Sequence, residues 1–134
     1  MKEYVFLRIN EKFRSLFSYD NISSFLELYY RREESVFYKE QFRLFLEKNK
    51  QKEIVNYLKN KLSNREELSL KDNQLTLVNN FYNTKEVLEL KDSYLVLKGN
   101  FEKSILSKYL CEYDSDFLLI DINNNKIERL ALVN

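Results

Sequence analysis

Residues 68–80 read LSLKDNQLTLVNN, and residues 88–100 read LELKDSYLVLKGN. Superimposed, they share Leu-x-Leu-Lys-Asp-x-x-Leu-x-Leu-x-x-Asn, with the second copy twenty residues after the first. In each copy the leucines alternate with other residues, which is the period of a strand with one buried face. Lys-Asp-Asn and Lys-Asp-Ser interrupt the alternation as turn residues do. The two stretches predict β-hairpins in tandem, each setting two leucines opposite two leucines. Residues 68–71 should pair antiparallel with residues 74–78, and Leu70, Leu77, Leu90 and Leu97 should be core. Leu-x-Leu-x-x-Asn at 75–80 and 95–100 also matches the second half of a leucine-rich repeat. Two copies fall short of the roughly three that stacked repeats need to bury a continuous core. The flanking helices fit no repeat either, so the hairpin reading is kept.

On the N-terminal side, residues 2–9 predict a strand, with Tyr4, Phe6 and Arg8 on one face and Val5, Leu7 and Ile9 on the other. Asn10 is a suitable N-cap for a short helix over 11–18. Phe13 and Phe17 are four apart on it and lie one above the other, with Leu16 beside them. Asp20-Asn21 breaks this helix. Ser24-x-x-Glu27 reads as a capping box for a second helix ending near Arg32, with Phe25, Leu28 and Tyr29 inward. A third helix is expected over 35–49, where Tyr38, Phe42, Phe45 and Leu46 recur at helical spacing. A fourth is expected over 51–62, with Ile54, Tyr57, Leu58 and Leu62 inward.

On the C-terminal side, Asn100 is expected to cap a helix over 101–112 with Phe101, Ile105, Leu106, Tyr109 and Leu110 on its inner face. Residues 116–122 (DFLLIDI) are nearly continuously apolar, which predicts a central strand with Leu118 and Ile120 in the core. Asn123-Asn124-Asn125 reads as a turn that tolerates positive φ, and residues 126–133 as the last strand. No Pro-, Gly- or Ser-rich linker interrupts the chain. Residues 1–134 are therefore expected to form one α+β domain. Its mainly antiparallel sheet carries the tandem hairpins, covered by helices from the N-terminal half and one C-terminal helix.

The bulk numbers narrow the function. A chain of 134 residues buries roughly two-thirds of its unfolded surface and folds without a metal or disulfide. Its 22 basic and 21 acidic residues leave a net charge of +1, which provides no footprint for nucleic acid or an acidic membrane. No apolar run approaches a membrane span. The opening MKEYVFLRIN carries an acid and an arginine where a signal peptide needs an apolar core. With Cys111 as its only cysteine, the chain is expected to be cytoplasmic. One glycine excludes a Gly-rich phosphate loop, and the absence of histidine removes the commonest general base and metal ligand. The expectation is a protein that is not an enzyme and holds no cofactor or metal.

Individual candidates for chemistry have simpler readings. The carboxylate pairs Glu33-Glu34, Glu66-Glu67 and Asp114 with Asp116 read as solvated surface or helix ends. Cys111 beside Leu110 reads as a structural thiol, since no histidine exists to activate it. Asp121 with Asn123–Asn125 lacks the ligand spacing and glycine of a calcium loop. Lys48, Lys50, Lys52, Lys59 and Lys61 form a basic region, but Glu47 and Glu53 interrupt it, as on a solvated helix face. What remains is an aromatic surplus of ten Phe and ten Tyr. In the adjacent pairs Tyr29-Tyr30 and Phe81-Tyr82 one member tends outward, either as an interface anchor or as a packed ring with its hydroxyl wet.

Both ends of the chain resemble the SirA family, the sporulation inhibitors of replication. Tyr4 to Ile9 (YVFLRI), Glu11-Lys12-Phe13, Phe17 and the helix around Phe25-Leu26-Glu27-Leu28-Tyr29 carry the resemblance. Asp116 to Asp121 (DFLLID), Asn123 and Lys126 continue it, whereas between Tyr38 and Tyr113 the match is faint. The resemblance implies a small, non-catalytic protein, monomeric when free, that binds the N-terminal domain of the replication initiator DnaA and blocks initiation. In that family two aromatic residues one turn apart on the first helix dock into the initiator, and Phe13 and Phe17 occupy the matching positions. Phe17 stands where the family typically has Tyr, and the family's Trp on the last strand is missing. Tyr57 matches a further contact on a later helix, and Arg14 with Tyr57 would form the rim. Spacing alone makes Phe13 and Phe17 core residues of an amphipathic helix; the resemblance implies that at least their edges are exposed.

Overall fold

The computed structural model describes residues 2–16, 22–62, 67–80, 82–101, 103–114 and 116–129. In chain order these form β1 (Lys2–Leu7), a 3₁₀ helix (Glu11–Leu16), α1 (Ile22–Arg31), α2 (Val36–Leu44) and α3 (Gln51–Lys61). Then come β2 (Glu67–Lys71), β3 (Gln74–Asn79), β4 (Thr84–Leu90), β5 (Tyr94–Asn100), α4 (Ile105–Tyr113), β6 (Leu118–Asp121) and β7 (Lys126–Arg129).

The leucine stretches fold as the hairpins that their alternation predicts. Leu68 faces Leu77 and Leu70 faces Leu75 across β2 and β3. Leu88 faces Leu97 and Leu90 faces Leu95 across β4 and β5. Asp72 and Asn73 both adopt positive φ, 50° and 64°, as a two-residue turn matched to strand twist requires. The hairpins pair side by side, with Leu75 opposite Leu88. Every strand pairing is antiparallel, in the order β2-β3-β4-β5-β1-β6-β7. The fold is thus α+β, as expected.

Alternation along each strand sends side chains to two faces, and helices cover both. On one face Phe6, Leu75, Leu77, Leu88, Leu90, Leu95 and Leu97 pack against Ile54, Val55 and Leu58 of α3 and Leu106 and Leu110 of α4. On the other, Val5, Leu7, Val96, Leu118 and Ile120 pack against Leu26 and Tyr29 of α1 and Phe42 of α2. Beyond the second cluster, that face carries a charged ladder across β4, β5 and β1: Lys98 Nζ lies 3.3 Å from Glu89 and 3.7 Å from Glu3.

Several boundaries differ from expectation. β6 is the penultimate strand, and β5 holds the middle between β4 and β1. A penultimate strand is paired on both sides, so it reads as apolar as a central one. Leu118 and Ile120 are buried as predicted, as are Leu77, Leu90 and Leu97, but Leu70 is 46% exposed because β2 is an edge. Ser24 lies inside α1, not at its start, so the capping box is not used as one. α2 begins where expected, with Ser35 Oγ accepting the Tyr38 N–H, but ends at Leu44. The next residues leave the helix to extend the β1 ladder: Asn10 N–H donates to the Phe45 carbonyl, Glu47 N–H donates to that of Arg8, and Leu46 bridges Ile9. α4 begins at Ile105, capped by Ser104, not at Phe101. Phe101 instead lays its ring over Gly99 and stacks on Tyr4. A Cβ at Gly99 would lie 2.5 Å from both that ring and the Lys85 carbonyl oxygen, so close approach explains the chain's one glycine. Phe17 and Ser18, and the part of the last strand expected beyond Arg129, lie outside the described residues.

Candidate protein-binding surface

The exit from β1 is built as its sequence predicts. Asn10 Oδ1 accepts the N–H of Lys12 at 3.1 Å, and the Asn10 carbonyl accepts that of Phe13 at 2.8 Å. This turns the chain into the 3₁₀ helix and delivers Phe13 to the cluster under α1 and α2. There Phe13 is half-buried, its ring edge-on to Phe45 with centroids 5.1 Å apart. One part of the ring is held by the core while the rest is accessible. Phe17 lies outside the described residues, and so does the side chain of Arg14.

Tyr57 does not join Phe13. It sits on α3, half-buried against the cluster on the opposite sheet face, its ring 5.2 Å from that of Tyr113. Lys61 Nζ lies 5.6 Å above the Tyr57 ring. The expectation that Tyr57 lies at the rim of a Phe13 patch is corrected by topology: α3 and the 3₁₀ helix pack on different faces.

What does adjoin Phe13 is α2, and its outward residues were missed from sequence. Val36 is 77% exposed, Phe37 65% and Leu44 54%. Phe37 and Leu44 are seven residues apart, two turns along one line of the helix. That line faces away from buried Phe42, and Phe45, the residue that follows α2, meets the ring of Phe13. The signal was a second apolar line on a helix whose inner stripe was already complete. Arg31 closes one side, its guanidinium 4.1 Å from the Tyr38 ring centroid and hydrogen-bonded to Glu34 at 2.9 Å. That bond raises the pKa of Arg31 and holds it charged.

The Tyr29-Tyr30 pair divides as anticipated. Tyr29 is buried beneath Arg32, whose guanidinium lies 3.9 Å from the ring centroid and donates to the Tyr29 carbonyl at 2.7 Å. Tyr30 is 43% exposed and donates its hydroxyl to Asn125 Oδ1. Of the second pair, Tyr82 is exposed and Phe81 lies outside the described residues.

A polar cleft, lined by Arg8, Glu47, Lys48, Lys50, Glu53, Tyr113 and Asp114 among others, lies elsewhere. Arg8 lies 3.1 Å from Glu47, 3.4 Å from Asp114 and 4.0 Å from Asp116. The guanidinium thereby ties β1 to the segment after α2 and to the loop after α4, and its charge is matched within the protein. The Asp121 and Asn123–Asn125 segment is the expected turn: Asn124 donates its N–H and its amide to the Asp121 carboxylate. No described helix is long and apolar enough to cross a membrane. No family model matches the chain, and no curated protein matches it.

Proposed function

We propose that the protein works by binding another protein, and that its partner is the N-terminal domain of the replication initiator DnaA, which it inhibits without catalysis. The carrying observation is the half-buried ring of Phe13, wedged edge-on against Phe45 where α2 ends. An aromatic ring held on one side loses little rotamer freedom when a partner covers the other, which is the economy of an interface hot spot. Phe37 and Leu44 are exposed on α2, the helix followed directly by Phe45. The choice of partner rests on the resemblance of β1, the helix after it and β6 to the SirA family. A cytoplasmic protein acting on the replication machinery follows from that choice; a role in sporulation is part of the same proposal.

The test is a calorimetric titration of the initiator's N-terminal domain with the wild type, Phe13→Ala and Phe17→Ala, each variant also being melted. Truncating a central anchor should weaken binding by about 2 kcal/mol or more, and a half-buried ring should leave the fold intact. Unchanged affinity in both variants would remove the site. A wild type that does not bind the domain would remove the partner.

A second reading is an adaptor domain in another cytosolic or phage-related assembly. One observation favours it: Val36, Phe37 and Leu44 are more exposed than Phe13 and lie outside the segments that carry the resemblance. On that reading Phe37→Ala, not Phe13→Ala, is the variant that loses the partner.

A further inference from the structure

β2 is the outermost strand of the sheet on the hairpin side, and Glu67, Ser69, Leu70 and Lys71 on it are all exposed. Its hairpin turns through two residues, Asp72 and Asn73. Such a hairpin closes on a hydrogen-bonded pair, here Lys71 with Gln74, and the bonded pairs then alternate. Ser69 and Glu67 are therefore the other β2 residues bonded to β3. Leu68 and Leu70 point their N–H and C=O groups away from β3, towards the open edge.

The strand reads Glu-Leu-Ser-Leu-Lys. About Ser69 it is symmetric in its leucines and opposite in its charges. We propose that two copies of this chain associate by antiparallel pairing of β2 with β2, on a two-fold axis through Ser69. Leu68 then faces Leu70 of the partner subunit, and each such pair exchanges both N–H···O bonds from the groups that point outward. Glu67 faces Lys71 of the partner subunit on the sheet's other face, and the reciprocal pair completes the match. Sliding the register by two residues in either direction takes Glu67 and Lys71 from directly opposite to diagonal positions and weakens the match.

The pairing also extends the leucine face. Leu70 stands in the cross-strand row Leu70, Leu75, Leu88, Leu97, of which it alone is exposed. Leu68 of the partner subunit would cover it. Edge strands are commonly guarded by charge, lysine above all, against joining other sheets. Here the guard is self-complementary: Lys71 opposes foreign edges and parallel registers but meets a glutamate in its own two-fold copy. Asn80 Nδ2, 3.5 Å from the Glu67 carboxylate, is a neutral neighbour that leaves the charge in place. A five-residue edge is a small contact, so the dissociation constant should be on the order of 100 μM. At low concentration the chain is the monomer expected from its sequence.

Sedimentation velocity on the full chain from about 10 μM to about 1 mM brackets that constant. The wild type should pass from monomer to dimer across the range. Glu67→Lys and Lys71→Glu should each weaken the dimer about tenfold or more, because each sets like charges opposite one another twice. Both positions are exposed, so melting temperatures should be unchanged. The double variant Glu67→Lys/Lys71→Glu restores opposite charges in the same register and should recover the wild-type constant to within about threefold. A monomer at every concentration, single reversals that leave the dimer intact, or a double variant that recovers nothing would each overturn the proposal.

Discussion

Glu86 Oε2 accepts the backbone N–H of Ile105 at 2.9 Å, so a strand inside the sheet and the first turn of α4 share one buried carboxylate. Its Oε1 accepts the N–H of Leu106 at 3.2 Å and the hydroxyl of Ser104, whose oxygen in turn accepts the N–H of Ser107. The opening N–H groups of a helix have no partner within it and carry partial positive charge. Glu86 supplies the acceptors, at 2% exposure. Replacing it with Ala leaves these donors buried without it and should cost on the order of 3 kcal/mol in a urea melt. A cost under about 0.5 kcal/mol, the range of surface changes, would show that α4 does not depend on the carboxylate.

The start of α4 marks where the sequence stopped being readable. Asn100 is a competent cap, and local rules favour it, but Glu86 lies fourteen residues further back and reaches the helix only because β4 pairs with β5. Ser104 is the local cap that does the work, and the carboxylate that selects it over Asn100 arrives across the sheet, which leaves no trace in the helix's own sequence. The same limit applies to the candidate site. Phe13 was findable because its cap, Asn10, is local. The placement of Tyr57 was not, because nothing in its helix says which face of the sheet α3 covers. The hairpins were legible because turn chemistry and leucine alternation both act within thirteen residues. Phe37 and Leu44 carried a signal, a second apolar line on α2, that the first stripe had hidden.

Leu118 and Leu70 separate burial from pattern. Both stand at leucine positions predicted as core, yet Leu118 is 1% exposed between the sheet and α1 and α2, and Leu70 is 46% exposed on the edge strand. Leu118→Ala should cost on the order of 2–5 kcal/mol through lost burial and the cavity left behind. Leu70→Ala should cost under about 1 kcal/mol in dilute solution. Equal losses in parallel denaturant melts would contradict the strand order.

Two phenols set an alkaline limit on the fold. Burial raises the pKa of Tyr113 to about 12, and the hydrogen bond from its hydroxyl to Glu53 Oε1 at 2.9 Å adds to the rise. Burial likewise raises Tyr29 to about 12, with the Arg32 charge opposing the rise. In the unfolded chain both titrate near the ordinary phenol value of 10. The folded state therefore keeps protons that the unfolded state has already released. Its stabilisation is complete below pH 10 and is lost as pH rises through 12; between neutrality and pH 10 these two groups contribute no slope. Lysines also lose their charge near pH 10.4, so the wild-type curve alone does not isolate the tyrosines. Tyr113→Phe does, because Phe has no proton to release and keeps most of the packing against Tyr57 and Phe117. In melts stepped through this window the wild type should fall more steeply than Tyr113→Phe, while tyrosinate absorbance shows a late class of phenols in the folded protein. Parallel slopes for the two proteins would mean that Tyr113 titrates like an exposed phenol.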